Sequence, residues 1–265
     1  MTRVIIAGAA GRMGRALVRC ASGFRDLRIV AAVDRPGDPA IGRDAGITAG
    51  VNSVGVAITD DLGAAPRADV LIDFSSHATT AANAGIAAHL KMAMVIGTTG
   101  LTTDEMTAVR KAARRIPMVM APNMSLGVNV LLPLVAKAAS TLGLRYDIEI
   151  TEVHHKHKKD SPSGTALALA AEAAAARGQK LAQVTIYGRR GQTAGRPMGQ
   201  IAIHALRMGD VVGDHTVSFA VEGERLELTH RATNRDAFAN GALRAALWLK
   251  GRKPGMYTMR DVLGL

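Results

Sequence analysis

The first 125 residues alternate short apolar runs with alanine-rich stretches, and this rhythm constrains the fold more than any other feature of the chain. The runs Val4–Ala7, Arg28–Asp34, Val70–Phe74, Met94–Gly97 and Met118–Ala121 have the length and the β-branched content of buried strands. Helical spacing fills most of the gaps between them. Strands that alternate with helices predict a parallel sheet with crossover helices on its faces. Between Arg35 and Thr59 the text turns to Gly, Pro, Asp and Asn, which predicts loops and one weak strand over Val54–Ile58.

The rhythm changes after Asn123. Leu126–Leu142 reads as a helix, Tyr146–Val153 as a strand and Thr165–Arg177 as a second helix behind a polar loop. Four further strands follow with no long helix between them: Val184–Tyr187, Gln200–Arg207, His215–Val221 and Arg225–His230. A strong helix, Arg235–Lys250, closes the pattern and is free to return to the first sheet. With 265 residues the chain can bury two cores.

Where the first strand gives way to the first helix stands Gly8-Ala9-Ala10-Gly11-Arg12-Met13-Gly14. Glycines at such a turn let the chain reverse tightly, let its amides approach a pyrophosphate and let the helix pack close to the sheet. The helix start then offers its free N–H groups and positive dipole end to the phosphates. The spacing is G-x-x-G-x-x-G rather than G-x-G-x-x-G, so the motif gains weight from Asp34, which stands 20 residues past Gly14 at the end of the second strand. An acid there suits ribose hydroxyls and a neighbouring arginine suits a 2′-phosphate, so Asp34-Arg35 offers partners to both NADH and NADPH. Gly97-Thr98-Thr99 and Ala121-Pro122-Asn123-Met124 end two further strands at the same carboxyl edge and are expected to wall the nicotinamide.

The expected fold class is therefore α/β: a Rossmann-type parallel-sheet cofactor domain plus an α+β substrate domain with a mixed, mostly open sheet. Residues 1–125, completed by 235–265, would bind the dinucleotide. Residues 126–234 would bind substrate.

Composition narrows the partners. Cys20, the single cysteine, allows no intramolecular disulfide and no thiolate cluster, and its helical spacing with Met13, Ala16 and Leu17 marks it for packing rather than nucleophilic attack. A semialdehyde dehydrogenase would need a cysteine beside the nicotinamide, and Cys20 lies in the wrong element. Met1-Thr2-Arg3 leads straight into the first strand, which predicts no secretory segment and a cytoplasmic protein. No run of about 18 uninterrupted apolar residues predicts a membrane span. The net charge of +11 favours anionic partners, but with aromatics at 3% the stacking platforms of a nucleic-acid binder are not visible. No nucleic acid and no membrane are expected among its partners.

The densest chemistry lies in Glu152-Val153-His154-His155-Lys156-His157-Lys158-Lys159-Asp160-Ser161-Pro162-Ser163-Gly164-Thr165, between a strand end and a helix start. Ser163, Gly164 and Thr165 sit where backbone amides and hydroxyls can cradle a carboxylate. The four-residue spacing of His154 and Lys158 puts them on one side of the segment. A zinc site competes, but adjacent His154 and His155 do not easily point at one ion from a strand, and no metal is expected. A solvated basic face and simple helix capping by Ser163 and Thr165 also compete.

Val-His-His-Lys-His-Lys-Lys-Asp-Ser-Pro-Ser-Gly-Thr-Ala, from Val153, resembles the signature of the dihydrodipicolinate (4-hydroxy-tetrahydrodipicolinate) reductases of lysine and diaminopimelate biosynthesis. The resemblance spans the chain, through Gly8–Gly14, Asp73-Phe74-Ser75, Gly97-Thr98-Thr99-Gly100, Ala121 to Asn129, Gly209 to His215 and Phe238 to Ala242. It implies His154 at the catalytic His position, Lys158 at the proton-donating Lys position, and His155, Gly164 and Thr165 at substrate-binding positions. It also implies hydride transfer from NADPH or NADH to a cyclic dicarboxylate, a C-terminal helix returned to the cofactor domain, and a homotetramer joined through the substrate-domain sheets. Two positions depart from the pattern: Gln200 stands in place of an acid, and Met124 in place of an aromatic residue.

Overall fold

A computed structural model of the chain describes residues 1–192 and 194–265. It divides into two compact units, one of Met1–Leu126 with Arg235–Leu265 and one of Gly127–Asn234.

The first unit is built on strands β1 (Thr2–Ala7), β2 (Leu27–Val33), β3 (Ile58–Thr59), β4 (Val70–Asp73), β5 (Ala93–Ile96), β6 (Pro117–Met120) and, from the far end of the chain, β12 (Gly255–Tyr257). All pair in parallel in the order β12-β6-β5-β4-β1-β2-β3. The chain steps outward from β1 in both directions, which makes the carboxyl ends of β1 and β4 a topological switch point, the place where such sheets bind ligands. Both faces are covered. Val4 and Ile6 of β1 join one buried layer with α1 (Arg12–Ala21) and α8 (Asp236–Trp248), while Ile5 joins the other with α3 (His77–His89) and α4 (Thr103–Ala113). Successive strand residues point to opposite faces, so near-continuous apolar strands require this double covering.

The weak strand expected over Val54–Ile58 is reduced to the two residues of β3. Its amides are diverted, because the Asp44 carboxylate accepts the N–H groups of Val54 and Val56 as well as those of Gly46 and Ile47. Asp44 thereby caps the short helix α2 (Ala45–Thr48) instead of leaving a sheet ladder to form. The sequence rhythm also missed β12 and the final helix α9 (Met259–Leu263), which are too short to show a period.

The second unit carries α5 (Leu126–Leu142), β7 (Asp147–His154), α6 (Gly164–Ala176), α7 (Leu181–Val184), β8 (Thr185–Tyr187), β9 (Ile201–Arg207), β10 (Gly213–Val221) and β11 (Glu224–Ala232). The sheet runs β11-β10-β7-β9-β8 and is mixed, antiparallel on the β10 side of β7 and parallel on the β9 side. On one face Ile148, Ile150, Ile201, Ile203, Val217 and Phe219 pack beneath Leu169, Ala170 and Ala173 of α6 and Leu131 and Val135 of α5. Small alanines let α6 approach the sheet closely, and truncating Leu169 would cost about 2–5 kcal/mol. The segment Leu126–Arg145, which begins with α5, is long and apolar enough by composition to cross a membrane, yet Leu131, Val135 and Ala139 bury their side chains in this core.

Candidate active site

The glycine motif forms the turn from β1 into α1, with Gly11 at the N-cap position and no side chain capping the helix. A Cβ on Gly14 would stand 2.1 Å from the Gly8 carbonyl oxygen, so only glycine lets α1 sit this close to the turn. The first amides of α1, at Arg12 and Met13, belong to the helix turn that lacks intrahelical acceptors. Asp34 follows β2, and its carboxylate accepts the backbone N–H groups of Ala10 at 2.7 Å and Arg35 at 2.8 Å. The acid expected to meet a ribose thus also clamps the glycine turn. The Arg35 side chain is exposed and only loosely paired with Asp38, at 3.6 Å.

Gly8, Gly11, Asp34, Arg35, Phe74 and Ser75 line a cavity of about 540 Å³ at the switch point. Glycine backbone, a helix start, an acid and an arginine around a cavity of this size fit a dinucleotide. Gly97 lies against the Phe74 ring, and Thr98 is buried with its hydroxyl donated to Asp73 at 3.1 Å. Thr99 and Pro122 are exposed, and the Asn123 side chain accepts the Ser125 N–H at 2.8 Å. Ala121 and Met124 are buried in the core, so the Met124 side chain packs against apolar neighbours, and what these two residues can offer a ligand is backbone.

In the second unit, β7 sets the geometry. Its buried face reads Ile148, Ile150, Glu152, His154, so the same alternation that packs the core carries two polar groups to the strand end. His154 Nδ1 lies 2.5 Å from Glu152 Oε2, and the His154 ring meets the His215 ring edge-on with centroids 5.1 Å apart. A Cβ on Gly213 would stand 2.9 Å from His154 Nε2, so the α-carbon of β10 closes directly on that edge of the imidazole. His155, half-buried, and His157, exposed, stand with ring centroids 6.3 Å apart. Lys158 pairs with Asp160, Nζ to Oδ1 at 2.9 Å. Ser163 caps α6 by accepting the Ala166 N–H, and its hydroxyl lies 3.0 Å from His215 Nε2. Gly164 and Thr165 open the helix, and a Cβ on Gly164 would meet nothing within 4 Å.

Three polar residues here escaped the sequence reading as site residues: Glu152, Arg207 and His215. Glu152 is fully buried, and its carboxylate accepts from Arg207, His154 and the Ser163 amide. Burial alone would raise its pKa, but the hydrogen bonds from Arg207, His154 and Ser163 outweigh that and hold it below the ordinary carboxylate range. Burial pushes His215 down to about 3, with the His154 ring adding to the effect, so His215 is neutral at working pH. The signal for Glu152 was available, since it continues the buried alternation of Ile148 and Ile150. Cys20 has its thiol pushed up to about 11 by burial, with the Asp236 carboxylate adding, which leaves it a protonated packing residue.

A parallel sheet with its dinucleotide-type turn, joined in one chain to a mixed sheet bearing a cationic loop, defines a Rossmann-fold oxidoreductase. Residues 2–124 match the family model described as dihydrodipicolinate reductase, N-terminus, and residues 127–263 the one described as dihydrodipicolinate reductase, C-terminus. The chain belongs to the dihydrodipicolinate reductase family. It is 53% identical over 266 residues to the 4-hydroxy-tetrahydrodipicolinate reductase of Anaeromyxobacter dehalogenans (strain 2CP-C), covering 100% of this chain and 98% of that one. It is 51% identical over 265 residues to the enzyme of the same name from Alkalilimnicola ehrlichii, covering 100% and 99%. A solved structure, the dipicolinate-bound dihydrodipicolinate reductase from Paenisporosarcina sp. TG-14, shares the fold with a TM-score of 0.76 at 23% identity and 98% coverage of each chain.

Proposed function

We propose that the chain catalyses the reaction for which its relatives are named, the reduction of 4-hydroxy-tetrahydrodipicolinate, or its dehydrated form, to tetrahydrodipicolinate in lysine and diaminopimelate biosynthesis. The observation that carries this is identity of 53% over 266 residues, covering 100% of this chain. The first unit binds the reduced nicotinamide dinucleotide along Gly8–Gly14, Asp34 and Arg35, with the ends of β5 and β6 beside the nicotinamide. When bound, the cofactor supplies the hydride.

The second unit binds the dicarboxylate. The start of α6 at Ser163, Gly164 and Thr165 presents amides and the positive end of the helix to one carboxylate, and His155 adds a further polar contact. Reduction leaves negative charge that must be met by a proton, and a positioned acid contributes about 10²–10⁴-fold. Lys158 holds that proton at Nζ, and His154 stabilises charge or relays the proton at Nε2. The Asp34-Arg35 pair gives either ribose form a partner, so NADH and NADPH both serve. A homotetramer joined through the face of the second sheet opposite α5 and α6, working in the cytoplasm, completes the reading.

The test is to follow nicotinamide absorbance while the preceding synthase generates substrate in situ. Rapid oxidation dependent on both the synthase and this chain is expected. Oxidation no faster than with the synthase alone would overturn the proposal.

A further inference from the structure

We infer that Glu152 and Arg207 are positioning residues that fix the ring state of His154 and the loop of Lys158 together. The inference rests on the function proposed above only for the step that His154 serves.

The Glu152 carboxylate has no exposed surface, so each oxygen needs partners within the protein. Oε2 takes His154 Nδ1 at 2.5 Å and Arg207 at 2.8 Å, while Oε1 takes the second Arg207 nitrogen at 2.9 Å and the Ser163 amide at 3.0 Å. The arginine therefore grips both oxygens with its planar fork, the geometry in which it holds a carboxylate most firmly. A carboxylate so held is ionised and can only accept. The hydrogen between the two side chains must then sit on Nδ1, and Nε2 becomes the nitrogen able to take up or release a proton. Charged or titratable groups nearby include neutral His215 across the ring from β10, His230 opposite it in register on β11, and Lys158 in the loop, whose charge helps to lower the His215 pKa.

Arg207 reaches a second target. It stands opposite His154 in the β7–β9 register, and the same guanidinium nitrogen that holds Oε1 also donates to the Asp160 carbonyl at 2.7 Å. Asp160 is the residue whose carboxylate pairs with Lys158. One guanidinium thus joins the group that orients His154 to the segment that holds Lys158. A purely structural ion pair buried under the sheet would need only the first of these contacts.

The experiment combines nitrogen-15 NMR of histidine-labelled wild-type enzyme with a kinetic cycle of Glu152→Gln and His154→Gln. The wild-type spectrum is expected to show His154 protonated at Nδ1, and an Nε2-protonated neutral ring would overturn the inference without any mutant. Glu152→Gln, which keeps size and the Ser163 contact, should lower kcat by about 10–100-fold with substrate KM changed less than about threefold. In the His154→Gln background the same change should cost less than about twofold, because the ring it orients is gone. An equal loss in both backgrounds would reduce Glu152 to a structural part and overturn the inference. Arg207→Lys, which retains charge but not the fork, should lose kcat by an intermediate factor, and full activity there would remove Arg207 from the account. Should His154→Gln itself keep wild-type kcat, the proposed role of His154 fails while the NMR result still decides its ring state.

Discussion

Replacing Gly213 by alanine is the smallest change that bears on the geometry of His154. The new Cβ would stand 2.9 Å from Nε2, 3.4 Å from Cδ2 and 3.7 Å from Cε1 of the ring. Since non-bonded heavy atoms settle at about 3.5–4.0 Å, the imidazole edge must retreat by roughly half an ångström or more. It has little room, because Nδ1 is tied to Glu152 at 2.5 Å and the ring face is met by His215. Gly213 does not have a left-handed backbone, so alanine brings no backbone strain and the effect is that of the methyl alone. Overpacking of this kind costs about 1–3 kcal/mol of stability. A displacement of about 1 Å in a reacting group costs on the order of 10²-fold, so half of that predicts a fall in kcat of about tenfold. Steady-state kinetics at saturating cofactor, with thermal unfolding alongside, measures both. Gly85→Ala, on the exposed side of α3, is the control, since its methyl meets nothing within 4 Å and it lies outside the binding residues. A Gly213→Ala enzyme with wild-type kcat would refute the reasoning, because the ring would then move freely without consequence.

Ser163→Ala removes both the cap on the Ala166 amide, worth about 1 kcal/mol, and the partner of buried His215, worth about 1–3 kcal/mol. The melting temperature should fall by about 5–10 °C, and a change below about 1 °C would show that neither contact matters. Glu149 on β7 has its pKa lowered from 4.5 to about 2, as hydrogen bonds from Arg189, His204 and Arg196 overcome the opposing effect of burial. Its contribution to stability is therefore complete above the unfolded value and lost as pH falls from 4.5 towards 2. The gap in unfolding midpoint between wild type and Glu149→Gln should be steady near neutral pH and close across that window, and a gap unchanged at low pH would contradict the assignment. Arg35→Ala should raise the NADPH KM by roughly tenfold, the lower end for an exposed charge-assisted contact, and leave NADH almost unchanged. Equal losses with the two cofactors would remove Arg35 from recognition of the 2′-phosphate.

Where the chain repeats a local pattern, the sequence was informative. The strands of the first sheet and the helix from Leu126 to Leu142 are visible because burial imposes a period of 2 or 3.6 on consecutive residues. The cationic loop could be read because Ser163 announces the helix start locally. Less local features escaped. Arg207 meets Glu152 across 55 positions and only the parallel β7–β9 register brings them together. His215 reaches the Ser163 hydroxyl across 52 positions, from a strand whose polar and apolar residues otherwise alternate normally. β12 consists of three residues at the sheet edge, with only Tyr257 packed on the core and against Trp248, which is too short a run to leave a mark in side-chain periodicity. Val54 and Val56 carry strand-forming side chains, but a single carboxylate, Asp44, claims their amides.

The proposed reduction depends most on a proton supplied by Lys158. The most direct measurement is nicotinamide oxidation by Lys158→Ala with substrate made in situ, paired with cofactor affinity from the quenching or enhancement of nicotinamide fluorescence. With that proton donor removed, kcat is expected to fall by about 10²-fold or more. Cofactor affinity should stay within about twofold of wild type, since a group acting only on the proton in the transition state adds nothing to cofactor binding. A Lys158→Ala enzyme that turns over at the wild-type rate would contradict this role for Lys158.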